Sequence, residues 1–408
     1  MNKKLLLIGS SLNYGSPGKI TENLGLLAQK DGWDVYQAHG VKYTNPSKLK
    51  TRPVSSPFGE KIHVAYSLLL DAHGLASTCE TKKLVRWIDE IKPDVIHLHN
   101  LHGYYLNYKV LFDYFATLET PIVWTLHDFW PITGHCAHFD YAGCDKWKTE
   151  CGHCPQRGTY PKSLFLDRSQ RNFKMKKRAF TSVQNMIITP VSIWVGNLVA
   201  ESFLGKYPIR PIYNGIDTEV FKPTENDLRK QLGVEGKFVL VGVAAPWYPL
   251  KGMNDYFDLS THISSECQII MIGLKTEQIR NLPKRIIGIE KTQNQKELAQ
   301  YYSMADVVLN LSYQETFGMT TVEGMACGTP GIVYNKTASP ELVTLETGRV
   351  VRAGNIEELV AAIYELKSLG KTSFRQACRN RAVTCFNKDK QFGEYIQLYN
   401  EILKNGVK

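Results

Sequence analysis

The chain has 408 residues, about twice what one hydrophobic core usually fills, so its length predicts two domains. Hydrophobic residues make up 43% and charged residues 22%, which is ordinary globular usage and excludes collagen-like, low-complexity and disulfide-scaffold classes. The 49 Lys and Arg against 39 Asp and Glu give a formal net charge of +10, which favours anionic partners. Because no nucleic-acid-binding motif accompanies the scattered basic residues, we expect no nucleic acid partner.

The N-terminus carries a short apolar run, Leu5–Ile8, that ends at Gly9. We predict a first buried strand here rather than a signal peptide, whose apolar region is longer. No stretch approaches the roughly 18 consecutive apolar residues that span a bilayer. We therefore expect a cytoplasmic protein with reduced thiols, either free or peripheral at the inner face of the membrane.

Short apolar runs alternate with segments of helical periodicity, a pattern that predicts parallel sheets flanked by helices. In the first half the predicted strands are Lys4–Ser10, Trp33–His39, Asp94–His99, Ile122–His127, Met186–Val191 and Ile209–Asn214. In the second half they are Lys237–Ala244, Gln268–Gly273, Arg285–Ile289, Val307–Leu311 and Gly331–Tyr334.

This organisation predicts an α/β protein with two Rossmann-like domains. The first covers residues 1–205, the second covers 206–385, and 386–408 is a helix that crosses back to the first domain. Such folds bind ligands at the carboxyl ends of their strands, so we expect the site in a cleft between the two domains.

The segment 128–165 fits neither pattern and is too long for an ordinary connection, so we predict an insert in the first domain. Four cysteines lie in it: Cys136, Cys144, Cys151 and Cys154. Four thiolates can close a tetrahedral shell around a structural zinc ion, which leaves no open position for catalysis. Two local disulfides and four small buried thiols are the alternatives.

The most informative segment is 312–330, SYQETFGMTTVEGMACGTP, which follows a predicted buried strand and opens a helix. Glu315 lies in the loop, and Glu323 lies eight positions later in the helix. Residues 316–318 would present free backbone N–H groups at the helix start, where a phosphate can bind. The alternative is that both glutamates are solvated surface groups.

Four segments in this order resemble glycosyltransferase family 4. Along the chain they are Tyr213–Pro223 (YNGIDTEVFKP), Leu250–Met253 (LKGM), the Glu315/Glu323 pair (E-x7-E) and Thr347–Ile363 (TGRVVRAGNIEELVAAI). The resemblance implies a GT-B fold and a retaining transfer of sugar from a nucleotide sugar. It also implies that the domain of residues 1–205 faces the acceptor and that the domain of residues 206–385 binds the nucleotide sugar. The insert, with TLHDFWPITGHC and YPKSLF, resembles the branch found in bacterial exopolysaccharide and capsule synthesis, as in colanic-acid-type transferases.

Carried over position by position, the resemblance implies a donor site. Glu323 would bind the ribose, Glu315 would contact the transferred sugar, and Lys251 would contact the diphosphate. The phosphate cradle would be Thr316, Phe317, Gly318 and Met319. Related enzymes usually carry an Arg shortly before this lysine; Val243–Pro246 stands there instead, so the diphosphate lacks its usual second cation.

In the first half, the loop after the first strand carries the candidate donor-binding residues Gly15, Ser16 and Gly18. The alternative is that these residues only shape a turn. His127 ends a predicted strand where functional residues of this fold belong, and the resemblance implies a contact with the donor sugar. Candidates for the acceptor or the cleft are His97, His99 and Asp128. For His127 and His97 the alternative is a partly buried histidine whose hydrogen bonds are satisfied within the protein.

The segment Asp167–Phe180 carries six basic residues, with Leu166, Phe173 and Phe180 spaced by seven. Its apolar stripe either packs into the domain or contacts an anionic membrane surface. Such a contact would suit an acceptor that is anchored on a membrane lipid.

The sequence therefore predicts a retaining hexosyltransferase that uses a UDP- or GDP-linked donor and a free or lipid-linked saccharide acceptor. The chain contains no Asp-x-Asp motif, so we expect no metal cofactor in catalysis. A nucleotide-sugar epimerase would convert the donor without an acceptor, and a nucleotide-sugar-binding protein would bind the donor without releasing nucleoside diphosphate. Both stay open as alternatives.

Overall fold

A computed structural model describes residues 2–407 of the chain. The chain divides into two compact units, which are described separately below. Unit 1 reaches to Tyr213 and resumes at Phe392, and unit 2 runs from Asn214 to Gln391. The first division thus falls at 213/214, whereas the sequence suggested 205/206.

Unit 1 is built on a six-stranded parallel sheet flanked by helices. Its strands are β1 (Lys4–Gly9), β2 (Asp34–His39), β3 (Lys50–Pro53), β4 (Val95–Leu98), β5 (Ile122–Leu126) and β6 (Met186–Pro190). Its helices are α1 (Gly15–Lys30), α2 (Pro57–Leu70), α3 (Thr78–Ile91), α4 (Tyr108–Phe115), α5 (Ser169–Phe180) and α6 (Ile193–Ala200). The strand order is β3-β2-β1-β4-β5-β6, the doubly wound order that reverses between β1 and β4.

Unit 2 repeats this plan with a second six-stranded parallel sheet. Its strands are β7 (Phe238–Val243), β8 (Cys267–Ile272), β9 (Ile286–Ile289), β10 (Val307–Asn310), β11 (Gly331–Tyr334) and β12 (Gly348–Val351). Its helices are α7 (Leu228–Gln231), α8 (Met253–His262), α9 (Thr276–Arg280), α10 (Gln295–Met304), α11 (Met319–Ala326), α12 (Ile356–Leu369) and α13 (Thr372–Phe386). The order β12-β11-β10-β7-β8-β9 reverses between β7 and β10.

The central strands are buried on both faces, which is why they read as continuous apolar runs in the sequence. All four residues of β10 are buried, and so are Val239–Gly242 of β7. The prediction of two parallel, helix-flanked sheets is thereby confirmed.

The predicted strand Ile209–Asn214 is absent from both sheets. Ile209 forms an isolated bridge with Ile188, and three backbone hydrogen bonds join the segment to β6 without making a regular strand. Ile188 N–H donates to the Pro208 carbonyl, Arg210 N–H to the Ile188 carbonyl and Ile212 N–H to the Pro190 carbonyl. Pro208 has no N–H, so it cannot extend this series of bonds toward the start of β6.

The last helix, α14 (Lys388–Asn405), supplies part of the core of unit 1. Its buried side chains are Phe392, Tyr395, Ile396, Leu398, Tyr399 and Ile402, which pack against β1, β4 and β5. No helix among residues 2–407 is both long enough and apolar enough to cross a bilayer.

Candidate active site

Two loops of unit 2 meet where the strand order of its sheet reverses. Lys251 follows β7, and Glu315 follows β10, which is the strand paired with β7. The loops pack closely, because Tyr313 N–H donates to the Leu250 carbonyl at 2.9 Å. A Cβ on Gly252 would lie 2.1 Å from the Leu311 carbonyl oxygen, so only glycine permits this approach. Ligands of doubly wound sheets bind at this reversal, beyond the carboxyl ends of the strands.

Lys251 and Glu315 form an ion pair at this point, with 2.6 Å between Nζ and Oε1. The side chains keep 26% and 18% of their surface exposed, so both remain accessible to a ligand. Burial works against the charge on Lys251, but the attraction and hydrogen bond of Glu315 outweigh it and raise the pKa of the lysine. Lys251 is therefore a fixed cation at neutral pH.

Helix α11 begins directly after this loop, and Gly318 stands at its N-cap with φ of 106°. No acidic residue lies in the first turn, which leaves the positive end of the helix dipole uncompensated by side chains. Phe317 is buried and packs edge-on against Phe386, with 5.7 Å between ring centroids. Its contribution to the predicted cradle with Thr316, Gly318 and Met319 is thus limited to its backbone.

Glu323 lies on the buried side of α11 and keeps 9% of its surface exposed. Its Oε2 accepts a hydrogen bond from the Tyr302 hydroxyl at 3.0 Å. Burial and the neighbouring carboxylate together raise the pKa of Tyr302, so the tyrosine remains a hydrogen-bond donor. Tyr302 is a positioning residue that the sequence did not point to. The predicted contact of Glu323 with ribose stays a prediction.

In unit 1, the loop after β1 leads into α1 at the corresponding strand reversal. Gly15 has φ of 62° and an exposed backbone, and Ser16 beside it is also exposed. Gly18 lies against the loop, since a Cβ there would come within 2.7 Å of the Ser11 Oγ. The first turn of α1 carries no acidic side chain, so the free N–H groups at its start suit an anion. Contact of Gly15, Ser16 and Gly18 with the donor stays a prediction.

His97 has a packing role. It is fully buried, and both ring nitrogens are taken: Nδ1 lies 2.5 Å from the Tyr399 hydroxyl and Nε2 lies 2.7 Å from Thr125 Oγ1. Its side chain joins α14 to the sheet of unit 1, which corrects the predicted role at the acceptor or cleft.

His99 and His127 form a stacked pair beyond the strand ends. The His99 Nδ1 lies 3.1 Å from the His127 Nε2, and the rings are 17° from parallel. His99 is buried, whereas His127 is half-buried directly after β5. Burial lowers the pKa of His127 to about 4, so its imidazole is neutral at pH 7. Its contact with the donor sugar stays a prediction.

Asp128 is paired with a histidine that the sequence analysis did not single out. Its Oδ2 lies 2.6 Å from the Nε2 of His102, whose Nδ1 lies 2.8 Å from the Tyr160 hydroxyl. Burial alone would raise the pKa of Asp128, but the attraction and hydrogen bond of His102 lower it to about 2. The sequence did hold a signal for His102, because it lies in the loop after β4 (NLHGYY) within a segment rich in histidine.

The four cysteines of the insert line one small cavity in unit 1, and all are free thiols. The hydrogen bond that Cys136 donates lowers the pKa of Cys154, and Gly134 N–H donates to Cys151 Sγ at 3.2 Å. Within residues 2–407, no three His, Cys, Asp or Glu side chains are placed so that they could hold a metal ion. The zinc site stays a prediction, which metal analysis of the purified protein would test.

Helix α5 packs its apolar stripe into unit 1, since Phe173 and Phe180 are both buried. Lys176 is buried beside them and donates to the carbonyls of Trp130 and Thr133, at 2.7 and 3.0 Å. Of the two predicted roles for this stripe, the geometry matches packing into the domain.

Comparison with known proteins gives two family matches and a curated relative. Residues 34–220 match Glycosyltransferase Family 4, and residues 225–383 match the family described as Glycosyl transferases group 1. The putative colanic acid biosynthesis glycosyl transferase WcaC of Escherichia coli is 25% identical over 338 residues, which are 76% of this chain and 77% of that one.

Solved structures show the same fold over the full length. Sucrose-phosphate synthase of Thermosynechococcus elongatus superposes with a TM-score of 0.73 at 18% identity, covering 98% of this chain and 99% of that one. Anabaena HepE in complex with UDP gives a TM-score of 0.68 at 17% identity, covering 98% and 100%. The fold is therefore GT-B, as predicted. With two consecutive family matches spanning most of its length, the chain belongs to the family 4 glycosyltransferases and is a glycosyltransferase.

Proposed function

We propose that this glycosyltransferase moves a sugar from a nucleoside-diphosphate sugar to a saccharide acceptor, with retention of anomeric configuration, in the synthesis of a bacterial surface polysaccharide. The observation that carries the proposal is the Lys251–Glu315 pair beside the start of α11. The name of the WcaC relative supports a polysaccharide product, and the neighbour solved with UDP and with UDP-glucose supports a uridine diphosphate sugar as the first donor to test.

Sugar transfer from a nucleoside-diphosphate sugar requires that the leaving diphosphate be stabilised. The bond between the sugar C1 and the diphosphate oxygen breaks, and negative charge builds up on the departing phosphate. The Lys251 ammonium and the N–H groups at the start of α11 stabilise that charge. The acceptor hydroxyl bonds to C1 on the same face, and its proton passes to the departing phosphate oxygen. No side chain is then needed as a general base.

Glu315 has two roles in this proposal. One carboxylate oxygen holds Lys251 in place, at 2.6 Å, and the carboxylate also accepts a hydrogen bond from a hydroxyl of the transferred sugar. Its backbone is fixed, because Glu315 N–H donates to Thr337 Oγ1 at 3.0 Å. With no arginine at 243–246, Lys251 carries more of the diphosphate charge than the corresponding lysine of relatives that have one.

The test is the release of nucleoside diphosphate from a panel of UDP sugars with and without saccharide acceptors. We expect Lys251→Ala to lower kcat by about 100-fold or more, as loss of one preorganised donor to a developing anion does. The matched control is Lys367→Ala in α12. Lys367 is 28% exposed, similar to Lys251, and is likewise paired with a glutamate, Glu266.

Three outcomes would contradict the proposal. Full activity of the Lys251 variant would reject the site. Conversion of the donor without any acceptor would indicate an epimerase instead. Tight binding of nucleotide sugar by the unaltered protein, with no diphosphate released for any acceptor in the panel, would indicate a binding protein.

A further inference from the structure

Helix α2 of unit 1 has its polar residues inside and its apolar residues outside. Glu60, His63 and Ser67 are its buried side chains, which is the reverse of an ordinary surface helix. Each has partners that fix it. Glu60 Oε1 accepts from Val41 N–H at 2.7 Å, and Gly74 N–H donates to His63 Nε2 at 3.0 Å. The rotation of the helix about its axis is therefore set by a satisfied polar interior.

The opposite face of α2 is exposed along its whole length. Phe58, Ile62, Tyr66 and Leu69 follow helical spacing and are 73%, 51%, 40% and 48% exposed. Single exposed apolar side chains are normal on a protein, but a full helix face of them marks an interaction surface. All four side chains belong to unit 1.

The insert extends this surface. Leu164 N–H donates to the Leu68 carbonyl at 2.8 Å, which fixes the segment Leu164–Leu166 beside the end of α2. Phe165 is 69% exposed, and Leu164 and Leu166 are 42% and 37% exposed. We name the exposed faces of α2 and of Leu164–Leu166 together the apolar patch.

The charges around the apolar patch are mainly basic. Lys61 lies on the exposed face of α2 itself, and Lys162 and Arg157 are exposed near the insert segment. Arg157 Nη1 donates to the Phe165 carbonyl at 3.1 Å, so its charge stands next to the patch. Two acidic side chains also lie nearby. The Glu80 Oε1 would be 3.6 Å from a Cβ on Gly59 of α2, and the Asp167 carboxylate already accepts from Cys154 N–H and Ser169 N–H.

We propose that the apolar patch docks this protein on an anionic lipid bilayer. Large apolar side chains enter the headgroup boundary while lysine and arginine side chains meet lipid phosphates, the arrangement of a helix that lies in the plane of a membrane interface. A second copy of the chain is less suited to cover the patch. A two-fold interface would bring Lys61 and Arg157 of one copy against the same basic patch of the other.

The test is sedimentation of the full chain with vesicles of phosphatidylcholine alone and of phosphatidylcholine mixed equally with phosphatidylglycerol. We expect partition onto the mixed vesicles that exceeds partition onto neutral ones and falls with salt. The double variant Phe58→Ser/Phe165→Ser should lower that partition at least about tenfold, because each substitution removes apolar surface that the bilayer would bury. Both side chains are exposed, so a thermal midpoint close to that of the unaltered protein confirms the fold.

Two further variants complete the experiment. Leu345→Ser is the matched control, since Leu345 is 78% exposed but lies in unit 2, and it should partition like the unaltered chain. Lys61→Gln/Lys162→Gln should remove the preference for anionic vesicles. Equal partition onto both vesicle types overturns the proposal, as does a dimer that the Phe58/Phe165 variant dissociates without any vesicle binding. Vesicle partition needs no sugar transfer, so it stands or falls separately from the proposed activity.

Discussion

Gly318 is the residue on which the shape of the donor loop depends. Its φ of 106° is strained for any other residue, and an added Cβ would lie 3.0 Å from Leu342 Cδ1 and 3.4 Å from Asn310 Nδ2. We predict that Gly318→Ala lowers the free energy of unfolding by about 1–3 kcal/mol and lowers kcat/KM, because the start of α11 moves. Urea unfolding and the diphosphate-release assay measure the two effects.

Gly233→Ala is the control for backbone strain alone. Gly233 also has a positive φ, 64°, but no atom lies within 4 Å of its added Cβ. The control should lose some stability and keep its activity. Equal kcat/KM in the two variants would mean that the loop before α11 does not bind the donor.

The sequence alone could place those side chains whose location depends only on the strand that precedes them. Lys251 and Glu315 follow strands that the apolar pattern identifies, and parallel strands end at one edge of the sheet. His97 could not be assigned in this way, because its partner Tyr399 lies 302 positions away in the chain. His102 was missed for the same reason: pairing with Asp128 depends on how two separate loops fold.

At the scale of elements, α14 is held to the sheet of unit 1 by polar contacts as well as by apolar packing. The Tyr399 hydroxyl reaches His97 at 2.5 Å inside the core. We predict that Tyr399→Phe lowers the free energy of unfolding by about 1–3 kcal/mol, because it leaves the His97 Nδ1 buried without this partner. Thermal and urea unfolding of the purified variant measure the change.

The control is Tyr364→Phe, at the surface of unit 2. The Tyr364 hydroxyl accepts from Ser264 N–H at 2.8 Å, and water can replace it. Its loss should cost less than about 0.5 kcal/mol. If both variants lose the same stability, the His97–Tyr399 contact has no special role in docking α14.

Elements with strong periodicity were predictable, and elements defined by tertiary context were not. Gly331–Tyr334 was predicted with its observed bounds, since a buried strand is a continuous apolar run. The edge strand β3 (Lys50–Pro53) has no buried residue and carries no such signal. Helix α2 shows the same limit, because only the fold reveals that Glu60 and His63 face inward while Phe58 faces out.

At the scale of the molecule, titratable histidines are distributed very unevenly between the units. His262 is the only histidine of residues 214–391, and the other ten lie in the sequence before 214. Burial lowers the pKa of His63 and His127 to about 4 and that of His97 to about 3. Burial also lowers the pKa of His73 and His99.

This distribution predicts that mild acid destabilises unit 1 selectively. These histidines are neutral when folded, whereas in the unfolded chain they bind protons below about pH 6.5, so the unfolded state gains protons as pH falls. The stability they contribute is complete above about pH 6.5 and is lost toward about pH 4. Between about pH 7.5 and about pH 5.5, each should lower the free energy of unfolding by about 1 kcal/mol.

Urea unfolding at the two pH values separates the units, because Trp247 is the only tryptophan of unit 2 and the remaining six lie in unit 1. At the lower pH the tryptophan transition should move to lower urea, and far-ultraviolet circular dichroism, which reports both units, should divide into two steps. His262→Asn should leave this shift unchanged, since His262 is exposed. A tryptophan transition that stays in place on acidification would mean that the buried histidines of unit 1 are not held neutral by the fold.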